Sequence, residues 1–372
     1  MPDDDDKEAS LVRIATLAVA LSLCAATASA QVTPAAGYTP PDDTPSIKIG
    51  VVFYGDYTYT QSPQQKDADG NTINFSQFNV SRSYLNITGN ISHLIAFRIT
   101  PDVSREAGTG SSLAGSLEFR IKYAFAQFNF DDWMTKGSWA RLGIQQTPWV
   151  DFEENIYRYR FQGTVFSERE GFLSSSDAGA SFHYNFPSNY GDFHVGVYNG
   201  ETYSKVEVND QKAIQLRGTV RPFATGPMVL RGLRAHLFYD GDSYVQDAER
   251  KRVIGSVTFE HHYLNAGFDY LNARDQMSVT KPALTGTGFS IWATPRSPKG
   301  WEALLRYDHL KPNTEFDTQT RNRTILGVSY WFPHQGSVST ALLLDYDGQT
   351  FDNFAPALPA QKKIAVHALV SF

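Results

Sequence analysis

Apolar and polar residues alternate along most of the chain after residue 46. The clearest run is 117–125, in which charged residues stand between apolar ones. Its apolar positions, predicted to share one face, are Leu117, Phe119, Ile121, Tyr123 and Phe125. The C-terminal run 362–372 has the same two-residue period and ends on Phe372. A period of two predicts β-strands with one apolar face.

Runs of this kind predict sixteen strands. They span 47–59, 77–88, 95–100, 117–125, 138–147, 176–186, 191–200, 211–221, 230–240, 252–260, 263–272, 287–295, 301–309, 322–332, 337–347 and 362–372. A tilted strand needs about 9–11 residues to cross the hydrocarbon layer of a membrane, and most of these runs are that long. An even number of strands brings both chain ends to the same side of a closed barrel.

Connections between the runs alternate in length. Short ones containing Gly, Pro or Asn fall near 89–90, 187–189, 222–227, 297–300 and 333–336. Longer polar ones fall near 60–75, 103–114, 148–175, 201–210, 241–251, 273–286, 310–321 and 348–361. We therefore predict an all-β fold, a sixteen-stranded antiparallel transmembrane β-barrel with short periplasmic turns and longer external loops. A soluble sandwich, whose strands are usually shorter, and a β-helix, whose short repeat this chain lacks, are the alternatives.

Aromatic residues gather at the ends of the predicted strands, where they suit the two membrane–water interfaces. The residues predicted to form these girdles are Tyr57, Tyr59, Trp139, Tyr239, Trp301, Tyr330, Trp331, Phe332 and Phe372.

The N-terminal segment has a different pattern. Residues 11–30 are mostly apolar and end in Ala28-Ser29-Ala30, which is typical of a secretory signal peptide. We predict a signal peptide at 1–30, a Pro-rich periplasmic entry segment at 31–46 and the barrel at 47–372, in the bacterial outer membrane after signal-peptide removal. The start DDDDK at 3–7 resembles a tag. Cys24 lies in the leader, so the mature chain is expected to have no disulfide and no cysteine metal site.

The charged residues argue against a nucleic-acid partner and indicate a polar barrel interior. With 33 basic and 39 acidic residues, the chain lacks the basic excess of a nucleic-acid-binding protein. Strand positions opposite the apolar face carry both signs of charge, which a dry interior would hold only at a large desolvation cost. We expect a water-filled lumen, for which sixteen strands are wide enough. The predicted pore-lining cations are Arg98, Arg120, Lys122, Arg141, Arg217, Arg221, Arg234 and Arg306.

The long internal loop 148–175 is the candidate constriction of that lumen. A loop of this length is usually functional, and its aromatic residues need a surface on which to pack. We expect it to fold inward with its charges facing wall arginines; an exposed cap or a subunit contact is the alternative. Its charged residues are Asp151, Glu153, Glu154, Arg158, Arg160, Glu168, Arg169 and Glu170.

Three short motifs resemble the phosphate-selective porin O and P family. The segment 141–148 (RLGIQQTP) resembles the strand that enters that family's constriction loop. The segment 176–179 (SDAG) resembles the strand start after the loop, and 195–200 (VGVYNG) is similar to a strand end. The resemblance implies a sixteen-stranded, anion-favouring porin that forms homotrimers. Because the loop here is at least as acidic as basic, we expect weak anion selectivity, with phosphate among the candidate solutes.

No catalytic motif, cofactor fingerprint or metal motif is found in the sequence. His261 and His262 are adjacent and are expected to point to opposite faces of a strand, which excludes a shared metal. An outer-membrane hydrolase is one alternative, with Ser181 and His183 on one face. A structural or adhesive barrel without an open pore is another.

The favoured function is passive diffusion of small hydrophilic solutes through an outer-membrane porin, without a cofactor or enzymatic activity. The expected partners are solutes or anions, outer-membrane lipid, two further copies of the chain, and the barrel assembly machinery. That machinery would recognise the C-terminal strand and its final residue, Phe372.

Overall fold

The computed structural model describes residues 43–106, 110, 112–316, 318–334, 336 and 338–372. The predicted signal peptide and most of the predicted entry segment lie outside the described residues. Among the described residues, no helix combines the length and apolar character needed to span a membrane.

Sixteen antiparallel strands of the described chain form one closed barrel, which confirms the predicted fold. They are β1 (Ser46–Ser62), β4 (Ser76–Asn90), β5 (Ile95–Arg105), β6 (Leu117–Asn129), β7 (Trp139–Gln146), β8 (Ser176–Asn185), β9 (Gly191–Tyr198), β10 (Ala213–Val220), β11 (Leu233–Val245), β12 (Ala248–His261), β13 (Leu264–Asp275), β14 (Leu284–Pro295), β15 (Trp301–Lys311), β16 (Thr320–Trp331), β17 (Ser339–Asp352) and β18 (Gln361–Ser371). Each strand pairs with its neighbour along the barrel, and β1 closes it by pairing with both β4 and β18.

Smaller elements lie in the connections. β2 (Gln65–Lys66) and β3 (Thr72–Ile73) form a hairpin between β1 and β4. Two α-helices, Val150–Tyr157 and Phe166–Arg169, lie between β7 and β8. Three 3₁₀ turns span Pro187–Asn189, Met228–Leu230 and Thr314–Phe316. We call the end of the barrel at which β1 begins and β18 ends the turn end, and the opposite end the loop end.

The two faces of each strand differ in exposure, as the alternating pattern predicts. On β11, Leu237 is 60% exposed on the outer face, whereas Arg234 and His236 are buried toward the interior. The same contrast recurs on β15, where Leu305 is exposed and Arg306 is buried. An apolar outer belt around a polar interior is the arrangement of a barrel that faces lipid.

The prediction of a long external loop at 241–251 is wrong, because most of these residues belong to strands. β11 and β12 continue through most of it, and only Gln246 and Asp247 connect them, with Asp247 at φ 62°. Within the extension, Arg250 donates to Asp242 across the strands at 3.2 Å. Both faces of such a strand are polar, so its sequence lacks the alternation that identifies a strand in lipid. The loop end of the barrel therefore contains at least one short connection as well as long ones.

A β-bulge changes the predicted face of β6. Thr100 pairs with Tyr123 and Pro101 pairs with Ile121, so Lys122 is the extra residue. Before the bulge Phe119 faces outward and is 74% exposed, as predicted; after it, Tyr123 and Phe125 are buried inside. An extra residue shifts the two-residue period by one and moves all later side chains to the other face.

Two predicted girdle residues also lie inside the barrel. Trp139 is buried against His183, with ring centroids 5.1 Å apart. Trp331 packs against Tyr159 at 5.8 Å. The neighbouring Tyr330 instead contacts Trp301 and Phe332 with ring centroids 5.0 Å away in both cases. Position at a strand end does not decide the face, because adjacent residues point to opposite sides.

Candidate pore constriction and its charged lining

The loop 148–175 crosses the interior of the barrel and packs on the opposite wall. Its helix Val150–Tyr157 ends at Arg158, whose φ of 67° turns the chain sharply. The most deeply buried apolar residues of the loop are Trp149, Val150, Ile156, Tyr157, Tyr159, Phe161, Val165 and Phe166. They form one apolar cluster with inward residues of the wall, among them Phe238, Leu271, Leu304, Ile325 and Leu343. Burial of this surface holds the loop across the lumen.

Hydrogen bonds fix the loop at both of its sides. On one side, the Tyr123 hydroxyl donates to Asp151 at 2.7 Å. On the other side, the Tyr159 hydroxyl donates to Glu302 at 3.0 Å. Two further wall bonds are Gln162 Nε2 to Asp345 Oδ2, at 2.9 Å, and Asn265 Nδ2 to the Ile156 carbonyl, at 2.8 Å. The inward-facing apolar residues of the wall and these polar contacts together form the surface on which the loop packs, which we call the loop seat.

The loop arginines pair mainly with carboxylates. Arg158 contacts Glu302 of the wall at 3.3 Å, and Arg169 contacts Asp347 of the wall at 3.6 Å. Arg160 instead pairs within the loop, with Glu154 at 2.6 Å. The basic residues of the loop are thus held by acidic groups on both sides.

Most of the loop carboxylates are bonded to groups other than wall arginines. Glu170 is bonded to a wall arginine, because Arg321 donates to it at 3.3 Å. Asp151 accepts from a tyrosine hydroxyl, Glu168 accepts from the Ser175 amide at 3.1 Å, and Glu153 is buried on the loop helix Val150–Tyr157. Glu170 therefore faces a wall arginine, and Asp151 shares a cavity with Arg141 and Arg217 of the wall, whereas Glu154 and Glu168 face Arg160 of the loop itself.

Four of the eight predicted pore-lining cations have carboxylate partners. Arg306 pairs with Asp308 at 2.8 Å, and both side chains are almost fully buried. Arg217 pairs with Asp192, and Arg234 pairs with Glu260. Other contacts are Arg120 Nε to Asp102 at 3.2 Å, Lys122 Nζ to the Tyr84 hydroxyl at 3.4 Å, and Arg221 Nη2 to the Arg231 carbonyl at 3.0 Å. Asp102 also binds Arg82, which is not among the predicted pore-lining cations.

Arg98 and Arg141 bond neutral acceptors instead. Arg98 donates to Thr100 and Asn86, and Arg141 donates to Gln127 and Gln146, all at 2.8–2.9 Å. Because their acceptors are uncharged, these guanidinium groups keep their positive charge uncompensated by a bonded carboxylate.

Three of the cavities lined by the described residues lie around the loop. The largest, about 700 Å³, lies toward the loop end and is lined by Arg82, Arg160, Arg169, Arg323 and Lys363 together with Asp56, Asp345 and Asp347. A second, about 370 Å³, lies toward the turn end and has Lys48, Arg98 and Arg141 as its charged lining. A third, about 130 Å³, lies beneath the loop and is lined by Arg141, Arg217, Arg221 and Arg234 with Asp151 and Asp192.

Ser181 and His183 are not arranged as a nucleophile and its base. The Ser181 hydroxyl donates to Gln145 Oε1 at 2.5 Å. The two ring nitrogens of His183 contact Asp192 and the Gly137 carbonyl, both at 3.2 Å. Neither ring nitrogen therefore bonds the hydroxyl that it would have to activate.

The expectation that His261 and His262 point to opposite faces of a strand is wrong. The strand ends at His261, and the two ring centroids lie 4.1 Å apart. Within the described part of the chain, no group of three His, Cys, Asp or Glu side chains is placed to hold a metal ion.

The barrel has the fold of bacterial outer-membrane porins. An anion-selective porin from Comamonas acidovorans aligns with a TM-score of 0.61 and 12% identity over 88% of this chain and 100% of that chain. OmpF of Salmonella typhi, in complex with daunomycin, aligns with a TM-score of 0.59 and 10% identity over 88% of this chain and 97% of that chain. OmpT, an outer membrane protein of Vibrio cholerae described in a trimer form, has a TM-score of 0.56 and 12% identity, over 89% of this chain and 100% of that chain.

No protein-family model and no curated protein sequence matches the chain. The similarity to solved structures therefore establishes the porin fold. Membership of the phosphate-selective family stays a prediction.

Proposed function

We propose that the protein is an outer-membrane porin through which small hydrophilic solutes diffuse passively. The observation that carries the proposal is a closed barrel with an apolar outer face, crossed inside by a docked loop that has polar cavities on both sides. Solutes move down their own gradient in such a channel, so no cofactor and no catalytic residue are needed. The docked loop acts as the constriction that limits solute size.

We propose a weak preference for anions. Eleven cationic side chains and five carboxylates line the three cavities. A lining with an excess of one sign raises the local concentration of the opposite ion. The excess is modest, because many arginines are bonded to carboxylates, so chloride should be favoured over potassium without potassium being excluded. Phosphate remains one candidate solute among other small anions.

We further propose that the channel is a homotrimer inserted by the barrel assembly machinery through its C-terminal strand. Phe372 is 59% exposed beside β1, and its backbone exchanges 3.0 Å hydrogen bonds with Val51. The trimer form of the Vibrio cholerae protein supports the same assembly here. Native mass spectrometry of the detergent-extracted protein tests the subunit count.

Reconstitution tests the channel itself. Purified protein refolded in detergent and added to a planar bilayer in KCl is expected to give stepwise conductance increments. Liposome swelling should then be fast with small neutral sugars and slow with large ones. A folded protein that gives neither conductance nor swelling would favour a barrel without an open pore.

A further inference from the structure

The largest cavity, about 700 Å³ and toward the loop end, contains two charged side chains that have no ionic partner among the described residues. They are Asp56 and Lys363, one of each sign. The other acidic and basic side chains of the lining are paired: Arg82 with Asp102, Arg160 with Glu154, Arg169 and Arg323 with Asp347, and His367 with Asp345.

Asp56 faces the cavity from β1. It accepts one hydrogen bond, from the neutral hydroxyl of Thr58 at 3.0 Å. The residue opposite it on β18 is His367, whose Nε2 contacts Asp345 at 3.1 Å. An ionised carboxylate has room for about four hydrogen bonds, so Asp56 can accept further donors from a solute.

Lys363 faces the same cavity from β18, closer to the loop end. The residues opposite it are Thr60 of β1 and Asp347 of β17. Asp347 is already occupied, because Arg323 donates to its two oxygens at 2.9 and 3.0 Å and Arg169 lies 3.6 Å away. The Lys363 ammonium therefore keeps its three donors available to a solute.

Strand register sets the spacing of the two charges. Lys363 precedes His367 by four residues on β18, and His367 is the residue opposite Asp56. At about 3.3 Å per residue, the two positions differ by about 13 Å along the barrel wall. Gln77 of β4 pairs with Thr58, between these two levels, and its amide lines the same cavity. The wall thus presents a carboxylate, a neutral amide and an ammonium in that order toward the loop end.

We propose that Asp56 and Lys363 form a two-ended subsite for short peptides. The terminal ammonium of the peptide binds Asp56 and its terminal carboxylate binds Lys363, both in charge-assisted hydrogen bonds. The inference rests on the proposed function, because the peptide reaches the subsite through the mouth of the pore.

The length and charge of a tripeptide suit this spacing. An extended tripeptide is about 10 Å long, which bridges the two positions once both side chains reach toward it. A single amino acid carries both charges on one carbon and can engage one end at a time. A zwitterion has no net charge, so the general excess of cations in the pore does not concentrate it. Its retention therefore depends on contacts at both ends.

Block of the ion current by peptides tests the subsite. Wild-type channels in a planar bilayer with KCl receive triglycine, N-acetyltriglycine, which lacks the ammonium, or triglycinamide, which lacks the carboxylate. We expect triglycine to halve the current at about tenfold lower concentration than either analogue, because each analogue loses one charge-assisted contact. A channel that merely concentrates anions would instead rank N-acetyltriglycine first.

Matched variants assign each end of the peptide. D56N should weaken block by triglycine about tenfold and leave block by N-acetyltriglycine unchanged, because that analogue has no ammonium to lose. K363Q should weaken block by triglycine in the same way and leave block by triglycinamide unchanged. K362Q removes the same charge from the adjacent exposed residue, on the outer face of β18, and should leave block by all three peptides unchanged.

The outcomes separate the subsite from the channel. Open wild-type channels that triglycine blocks no better than its two analogues would overturn the subsite and leave the porin function standing. Equal weakening of all three peptides by D56N or K363Q, in protein whose folding is verified by heat-modifiable gel mobility, would overturn the assignment of the two ends. Absence of any conductance would count against the proposed function instead.

Discussion

Tyr123 faces the lumen because the extra residue Lys122 shifts the period of β6. From that position its hydroxyl reaches Asp151 at the start of the loop helix. We predict that Y123F destabilises the folded protein by about 1 kcal/mol, since one hydrogen bond to a partly solvated carboxylate is lost. Chemical denaturation in detergent measures this change, and single-channel current noise should rise as the loop loosens.

Y270F is the matched control for Tyr123. Tyr270 lies on the outer face of β13 and is 48% exposed. Its substitution should leave both stability and current noise close to those of the wild type. An equal effect of the two variants would show that the Tyr123–Asp151 bond does not hold the loop.

His93 joins three segments at the turn end. Its Nδ1 contacts Asp43 at 2.5 Å and its Nε2 contacts Asp132 at 2.9 Å. The hydrogen bonds to Asp43 and then to Asp132 raise the pKa of His93 above the usual 6.5. A raised folded-state pKa stabilises the fold fully below pH 6.5 and loses that effect as the pH rises through the raised value.

The pH dependence of His93 is directly measurable. We expect the Tm difference between wild type and H93N to be largest below pH 6.5 and to shrink in alkaline buffer. NMR titration should place the His93 pKa above that of the same residue in the D43N variant. A Tm difference that grows with pH, or a His93 pKa unchanged by D43N, would contradict this account.

At the scale of elements, the strands could be predicted and the loop seat could not. Alternation identifies a strand only where one face meets lipid, as at Leu237. Alternation does not identify the loop-end parts of β11 and β12, where residues such as Asp242 and Arg250 make both faces of the strands polar. The seat of the loop is visible in the sequence only as apolar residues, such as Phe238 and Leu304, at positions expected to face water.

Alternation could identify which basic residues face the interior, but it could not identify their bonding partners. The basic wall residues Arg98 and Arg141 could be identified from alternation alone. Their neutral partners, and the carboxylates that neutralise Arg217 and Arg306, depend on pairing between strands that the sequence does not specify. The sequence therefore identifies some of the wall cations, Arg82 not among them, and it does not show which cations keep a charge without a bonded carboxylate.

The loop itself is tested by deletion. Removing residues 153–170 takes away the segment that packs across the interior, so single-channel conductance should rise severalfold. Removing residues 277–282, in the connection between β13 and β14, is the matched control and should change conductance little. Equal conductance of the two deletion variants and the wild type would remove the constriction proposal.

A pair of cysteine substitutions tests the position of the loop without deleting it, in case the deletion variant does not fold. Cysteines at positions 162 and 345, whose native side chains bond at 2.9 Å, should be joined by a short bifunctional thiol reagent. The cross-linked channel should keep wild-type conductance, because the loop is already docked there. Failure to cross-link in a folded barrel would place the loop elsewhere.

At the scale of the whole molecule, the outer belt should be intolerant of charge. L237R places an arginine at mid-strand on the lipid-facing side, which should destabilise the barrel by about 2–4 kcal/mol. V229R, at a residue 62% exposed in a turn, should cost about 0–1 kcal/mol because it lies near an interface. Urea unfolding in lipid vesicles compares the two, and equal costs would mean that this face does not meet lipid.

The sign of ion selectivity tests the central claim most directly. The reversal potential of the reconstituted wild-type channel is measured across a planar bilayer with a KCl gradient. The excess of cations along the three cavities predicts a modest value of the sign that marks chloride as the more permeant ion. A potential of the opposite sign, showing preference for potassium, would contradict the account.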